Sequence, residues 1–276
     1  MHRSISAVCA LIILLLSHVS IVRADEATLY KPYASVLTNF VLTDGRVDYA
    51  SLKQKRSELD SFLKSLASFS PKELETFNRN AQIAFWINAY NAITLGEIIN
   101  HYPIKPNLVT SLLYPKKSIR QIDNVWDADD HSVAGRKLSL NDIEHRILRQ
   151  EFKKPEIHVA LVCAARSCPP LRNEPYYGDL LEEQFRAQAK EFVESGRGFS
   201  AEPERGVVYV SKIFEWFGDD FVTDYAGNPK LKGYSTKNAA TLAFLLEYLD
   251  EDTQQFIFEK KPNVEYLDYD WTLNDL

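Results

Sequence analysis

Apolar residues recur along the chain at two periods, and the period changes locate the elements. Leu29, Tyr33, Val36, Leu37 and Phe40 keep three- and four-residue spacing and predict an opening helix, which Asp44-Gly45 breaks. Leu52, Leu59, Phe62, Leu63 and Leu66 define one face of a second helix. Ser70-Pro71-Lys72-Glu73 reads as a capping box with proline at the first helical position, a start signal for a third. From Ala81 to His101 the sequence is apolar nearly all round, which predicts a central buried helix closed by Pro103. Pro103 to Asp130 follows no period.

Beyond it, His131 to Leu138 reads as a small hairpin turning at Gly135, and Ser139 as the cap of a helix to about Gln150. Ile157 to Cys163 has the look of a buried strand between a proline and Pro169-Pro170. A helix from Leu180 to Glu194, a strand at Val207–Val210 and helices capped by Ser211 (Lys212 to Phe217) and Ser235 (Thr236 to Leu249) complete the pattern, with an aromatic, strand-like Val264 to Trp271 at its end. No repeat, low-complexity tract or linker interrupts it. The expected fold is α+β, one domain of helices packed on a small, largely antiparallel sheet.

The first residues obey a different logic. Arg3, the apolar run Ala7 to Leu16 and the small-x-small triplet Val22-Arg23-Ala24 form a secretory signal over residues 1–24, leaving residues 25–276 as the globular domain. The run is too short to span a bilayer, which takes roughly 20 apolar residues. Cys9 lies inside the run and not at its end, where a lipid-acceptor cysteine would sit. The expected location is therefore periplasmic or secreted. Without residues 1–24 the chain carries 30 basic and 38 acidic residues, a net charge of −8. That balance argues against nucleic acid or an anionic membrane as the main partner, and no later run is long enough for stable membrane insertion.

Two cysteines then remain, Cys163 and Cys168, in His158-Val159-Ala160-Leu161-Val162-Cys163-Ala164-Ala165-Arg166-Ser167-Cys168-Pro169-Pro170. A strand that ends in a cysteine beside a loop of small residues can present a thiol at a cleft mouth. Arg166 and the loop amides could supply the positive field that a thiolate needs. In an oxidising compartment the same pair can instead close a disulfide, contributing about 2 kcal/mol by loop entropy. With neither CxxC nor HExxH present, no metal site and no cofactor are expected.

Strand alternation would turn His158 away from Cys163, so His145 is the better-placed base. At roughly 100° per residue, Glu144 falls between Ile147 and Leu148 on the apolar face of its helix, whereas His145 shares the other side with Arg149 and Asp142. A carboxylate so placed is either the partner of a buried cation or a functional group lining the cleft of Cys163. Asn88 and Asn91, three apart on the central helix, predict a polar network that either braces a neighbouring loop or orients a site.

Phe85-Trp86-Ile87-Asn88-Ala89-Tyr90-Asn91-Ala92, Leu138 to His145, Ile147-Leu148-Arg149, His158 to Pro170, Ser211-Lys212-Ile213-Phe214 and Tyr269-Asp270-Trp271 together make the chain resemble the domain-of-unknown-function family 547, over about residues 47–274. The resemblance implies an individual role for Cys163, because some relatives carry serine where Cys168 stands, and it gives weight to Glu144 and His145. A papain- or transglutaminase-like thiol hydrolase is the analogous fold. Two functions follow as expectations. One is a cysteine-dependent hydrolase or acyl transferase acting on amide or thioester bonds of a small-molecule or peptide substrate. It would use Cys163 as nucleophile, His145 as base, and Glu144 or Asn91 as orienting groups. The other is an extracytoplasmic ligand- or partner-binding module with Cys163–Cys168 as a structural disulfide and Asn88, Asn91, Arg166 and Ser167 around the recognition cleft.

Overall fold

The computed structural model describes residues 26–276, so the signal reading of residues 1–24 lies outside the described residues. Helix α1 (26–40) packs its apolar stripe inward, burying Tyr30, Tyr33, Val36 and Leu37. The second predicted helix divides into α2 (Tyr49–Gln54) and α3 (Ser57–Ser68), with Asp48 capping α2 by accepting from the Ser51 amide. The Ser70–Glu73 capping box forms as the sequence predicts and opens α4 (Pro71–Thr76). Helix α5 (Arg79–His101) is capped by Asn78 and buried over most of its length, with α2 and α3 packed against it. Pro103 ends it.

The hairpin is present, β1 (His131–Val133) paired antiparallel with β2 (Arg136–Leu138). Ser139 caps the following segment reciprocally: its hydroxyl accepts from the Asp142 amide at 3.0 Å, and the Asp142 carboxylate accepts from the Ser139 amide at 3.1 Å. That segment, Asp142–Phe152, is a π-helix and not the expected α-helix. Its i→i+5 bonding makes a wider turn with fewer degrees between neighbours, a difference that decides how Glu144 and His145 point.

A larger departure concerns the expected strand at 157–163. Pro155–Val159 is a 3₁₀ turn, and the chain then runs irregularly through Cys163. No strand lies alongside to complete a ladder. Instead the Asn91 carboxamide donates to the Ala160 carbonyl at 3.0 Å and accepts from the Val162 amide at 2.9 Å. A side chain does the work of a neighbouring strand, which satisfies the buried backbone without making it β.

Helix α6 (Leu181–Glu194) leads to a three-stranded sheet in the order β3 (Phe199–Glu202), β4 (Val207–Val210), β5 (Asn263–Tyr266). The β3–β4 pair is antiparallel and the β4–β5 pair parallel. Between β4 and β5 lie α7 (Lys212–Phe217), α8 (Val222–Tyr225), α9 (Thr236–Leu246) and α10 (Glu251–Lys260), the last in a stretch for which the apolar pattern predicts no element. The strand-like tail keeps β structure only to Tyr266 before it turns irregular.

The architecture is α+β, with helices outweighing two small sheets. Its apolar interior has two centres, one around α5 and one around α9 and β4. Helix α6 joins them, giving Leu181 and Phe185 to the first and Ala189, Phe192 and Val193 to the second, and the Tyr269 ring packs against both.

Candidate functional site

Where the two centres meet, a pocket of about 440 Å³ opens. Its wall draws on α5 (Tyr90), the irregular segment (Arg120, Trp126), the π-helix (Glu144, His145), the cysteine loop, α7 (Trp216, Phe217) and the C-terminal tail (Tyr269, Trp271).

The wide π-turn brings Glu144 and His145 to this pocket together, although they are adjacent in sequence. On an α-helical wheel they would lie about 100° apart. The Glu144 side chain is 12% exposed, with its Oε1 3.9 Å from His145 Nδ1. Beside it, the fully buried Tyr90 phenol feels the Glu144 charge, with the Trp126 side chain a further neighbour. Burial, then the Glu144 charge, push the Tyr90 phenol well above its ordinary pKa, so it stays a donor. Among the described residues no lysine or arginine forms an ion pair with this carboxylate, and His145 is the neighbour within 4 Å.

His145 is committed on one side. The Arg149 guanidinium can only donate, and its Nη1 lies 3.2 Å from His145 Nδ1, so Nδ1 accepts and a neutral ring carries its proton on Nε2. In that tautomer Nε2 is the donor of the ring. Arg149 also forms a two-pronged pair with Asp220, Nε to Oδ2 at 2.6 Å and Nη2 to Oδ1 at 3.0 Å. Asp220 accepts in turn from His158 Nε2 at 2.8 Å. Burial raises the Asp220 pKa, but hydrogen bonds from His158 and Arg149 outweigh it and hold the carboxyl well below the usual range. Phe217 is clasped by this network, stacked on the His158 ring at 4.4 Å and lying 4.8 Å from the Arg149 guanidinium.

The strand on which the orientation of His158 relative to Cys163 rested is absent. In its 3₁₀ turn His158 is buried, paired to Asp220, and lines the same pocket. Cys163 and Cys168 are joined as a disulfide, Cα atoms 6.3 Å apart. Cys168 is buried and Cys163 half-buried, and both sulfurs reach the pocket. The Tyr269 hydroxyl lies 3.3 Å from the Cys163 sulfur and 3.1 Å from that of Cys168. Burial, then the Glu144 charge, raise the Tyr269 pKa against the opposing pull of Arg120, so the sulfurs face a neutral phenol.

Of the residues expected around a recognition cleft, four do something else. Asn88 donates to the Tyr176 carbonyl at 2.8 Å and accepts from its amide at 2.9 Å, the same two-way brace that Asn91 gives to residues 160 and 162. Neither asparagine lines the pocket. The backbone amides of Arg166 and Ser167 pair with the carbonyls of Thr272 and Asp270, and Ser167 Oγ accepts from the Asp270 amide at 2.8 Å, so this loop secures the tail that carries Tyr269 and Trp271.

What sequence reasoning missed is the aromatic wall and its cation. Arg120 lies 4.9 Å from the Tyr114 ring centre, 4.7 Å from Trp126 and 4.3 Å from Trp271. Among the described residues it forms no ion pair, and its buried Nε has no hydrogen-bond partner. Trp216, Tyr269 and Trp271 continue the cage, with Trp216 stacked on Trp271 at 6.0 Å. The clustering of tryptophan and tyrosine in the tail was the available signal; nothing local marks Arg120. Among the described residues no group of three or more His, Cys, Asp or Glu could hold a metal ion.

No curated protein and no solved structure matches the chain. One family model does, described as "Protein of unknown function, DUF547", over residues 74–193. The matched stretch holds Tyr90, Arg120, Trp126, Glu144, His145 and both cysteines, while Trp216, Phe217, Asp220, Tyr269 and Trp271 come from beyond it. By that match, residues 74–193 of the chain are similar to the DUF547 family.

Proposed function

We propose that the chain is an extracytoplasmic binding protein whose pocket takes a small organic anion with a flat or ring-bearing body. The observation that carries this reading is Arg120, a cation among three aromatic faces that forms no ion pair among the described residues. Desolvated guanidinium beside aromatic rings suits a carboxylate whose attached ring can stack. The Cys163–Cys168 pair makes part of the wall, and a persistent disulfide fits an oxidising compartment.

Trp126, Trp216 and Trp271 supply the assay, because all three line the pocket. Titration with a panel of aromatic and alicyclic carboxylates should quench tryptophan fluorescence saturably for some members. Arg120→Ala should weaken those by about 10- to 150-fold, the loss of one charge-assisted hydrogen bond at roughly 1.5–3 kcal/mol. Equal affinity in wild type and variant would remove the basis of the proposal.

A second reading, a thiol-dependent acyl hydrolase, is favoured by the half-buried Cys163 sulfur sharing a pocket with Glu144 and His145. It requires an external dithiol to reduce the pair, two electrons passing to Cys163 and Cys168 as the dithiol becomes a disulfide. Cys163 would then attack an acyl carbon, Glu144 taking the thiol proton and passing it to the departing thiol or amine, with His145 Nε2–H steadying the developing charge; water would then cleave the acyl–Cys163 bond, releasing the acid and returning the thiol. Under this reading Cys168→Ser, which leaves Cys163 free, should hydrolyse model thioesters without reductant and Cys163→Ser should not. Inactivity of both the reduced wild type and Cys168→Ser would leave the binding reading alone. A transglutaminase-like fold is not needed for either.

A further inference from the structure

The segment between α5 and β1 departs from the rest of the surface. Leu108, Val109, Leu112 and Leu113 are between 72% and 90% exposed, around a single 3₁₀ turn at Thr110–Leu112. Isolated exposed leucines mean little, but four within six residues form a continuous apolar tip. The tip is held out by a built base. Gln121 is buried; its Oε1 accepts from the Asn107 amide and from the Thr110 hydroxyl, each at 2.8 Å, and its Nε2 donates to the Tyr114 and Pro115 carbonyls. Asn107 Oδ1 accepts in turn from the Val109 amide at 2.9 Å.

Charge around the tip also differs from the chain average. From residue 98 to residue 122 there is no aspartate or glutamate, while Lys105, Lys116 and Lys117 stand exposed at the two feet. Asp123, which accepts from Asn107 Nδ2 at 3.2 Å, is the acid beside the base of the loop. The chain as a whole is acidic, but screening over about 8 Å at physiological salt leaves the lysine collar to set the local field. An apolar tip with a cationic collar matches the chemistry of a bilayer interface carrying anionic headgroups. A second protein copy is a poorer occupant, since four side chains on one turn fall short of the roughly 800 Å² per partner of a stable interface.

We propose that residues 105–117 form a peripheral membrane-docking tip, inserting Leu108, Val109, Leu112 and Leu113 among the acyl chains of an anionic bilayer while Lys105, Lys116 and Lys117 engage its headgroups. No helix among the described residues is long and apolar enough to cross a membrane, so the attachment is interfacial. Tyr114, at the foot of the tip, lies 6.0 Å from Trp271 by ring centres and 4.9 Å from Arg120, so docking holds the pocket beside the lipid. The inference is independent of what the pocket binds.

The test is co-sedimentation of the protein, processed as cells release it, with vesicles of equal parts phosphatidylcholine and phosphatidylglycerol, against phosphatidylcholine alone. Wild type should partition onto the mixed vesicles and release as salt rises. The combined variant Leu108→Ser, Val109→Ser, Leu112→Ser, Leu113→Ser should lose at least about tenfold in partitioning, with its melting temperature unchanged because these side chains pack on nothing. Lys105→Glu, Lys116→Glu, Lys117→Glu should abolish the preference for phosphatidylglycerol. Failure to bind mixed vesicles, binding untouched by either variant, or vesicle-free self-association that the serine variant removes would each overturn the proposal, the last in favour of a protein interface.

Discussion

Replacing Asp220 with asparagine should unmake the clasp that holds the pocket's Phe217 wall. The carboxylate accepts two bonds from Arg149 and one from His158, and the His158 side chain is only 2% exposed while that of Asp220 is 27% exposed. Charge-assisted bonds contribute roughly 1.5–3 kcal/mol each at full burial. Partial exposure of Asp220 and Arg149 screens two of the three, so the variant should lose about 2–3 kcal/mol. For a domain of this size, about 2–4 °C of melting temperature goes with each kcal/mol, giving a fall of roughly 4–12 °C.

The pH dependence separates this ion network from mere packing. The folded-state pKa of Asp220 is depressed, so its stabilisation is fully present above the unfolded value of about 3.9 and is lost as pH falls through the folded one. Denaturant melts of both proteins from pH 7 to pH 3 should give a constant gap above about pH 5. Below the unfolded pKa it should close by about 1.4 kcal/mol per pH unit. Other acids with depressed pKa values, Asp44, Asp48 and Asp142 among them, titrate in both proteins and cancel in the difference. A gap under about 0.5 kcal/mol, or one that persists unchanged to pH 3, would refute the argument.

Glu144→Ala should cost about 1–3 kcal/mol in denaturant melts, because it empties a largely buried site beside the Tyr90 phenol and His145, and Glu144→Gln should recover most of that loss. Reducing the Cys163–Cys168 bond should lower stability by about 2 kcal/mol, the loop-entropy value for so short a closure, as read by melts with and without a dithiol. Asn91→Ala removes two buried backbone bonds at once and should destabilise by about 2–4 kcal/mol while loosening the cysteine loop, visible as faster amide exchange at Val162 and Cys163. Intact mass of the exported protein should correspond to a chain beginning at Asp25; a mass that retains Met1–Ala24 would refute the signal reading.

Helix caps and apolar periods were legible because they are local. Ser70, Ser139, Ser211 and Ser235 all start helical segments where the sequence puts them. Two errors share one cause. Residues 157–163 look like a strand by composition, yet strand identity depends on a partner ladder, and Asn91, about seventy positions away, supplies the pairing instead. The 100° wheel likewise separated Glu144 from His145, whereas tertiary packing winds that segment as a π-helix and turns both toward one pocket. Asn88 and Asn91 were recognisable as a polar network, and both turn out to brace backbone. Arg120, Asp220 and Trp216 were invisible as site residues because each lies far in sequence from the motif it faces.

That long-range construction sets an order of events for a chain that emerges from its N-terminus. Cys163 and Cys168 are five positions apart and can meet as soon as their loop is free, whereas Tyr269, the hydroxyl that touches both sulfurs, arrives about a hundred residues later. Trp271 must also close back onto Arg120, and Asn274 onto the Tyr49 hydroxyl and the Ala164 carbonyl. Loop-closure entropy makes such distant contacts late. The sulfur bond is thus decided in an open, solvent-washed loop, before any pocket exists to shield or tune it. Whatever oxidant or reductant the nascent chain meets therefore acts on the pair before the finished cavity surrounds it.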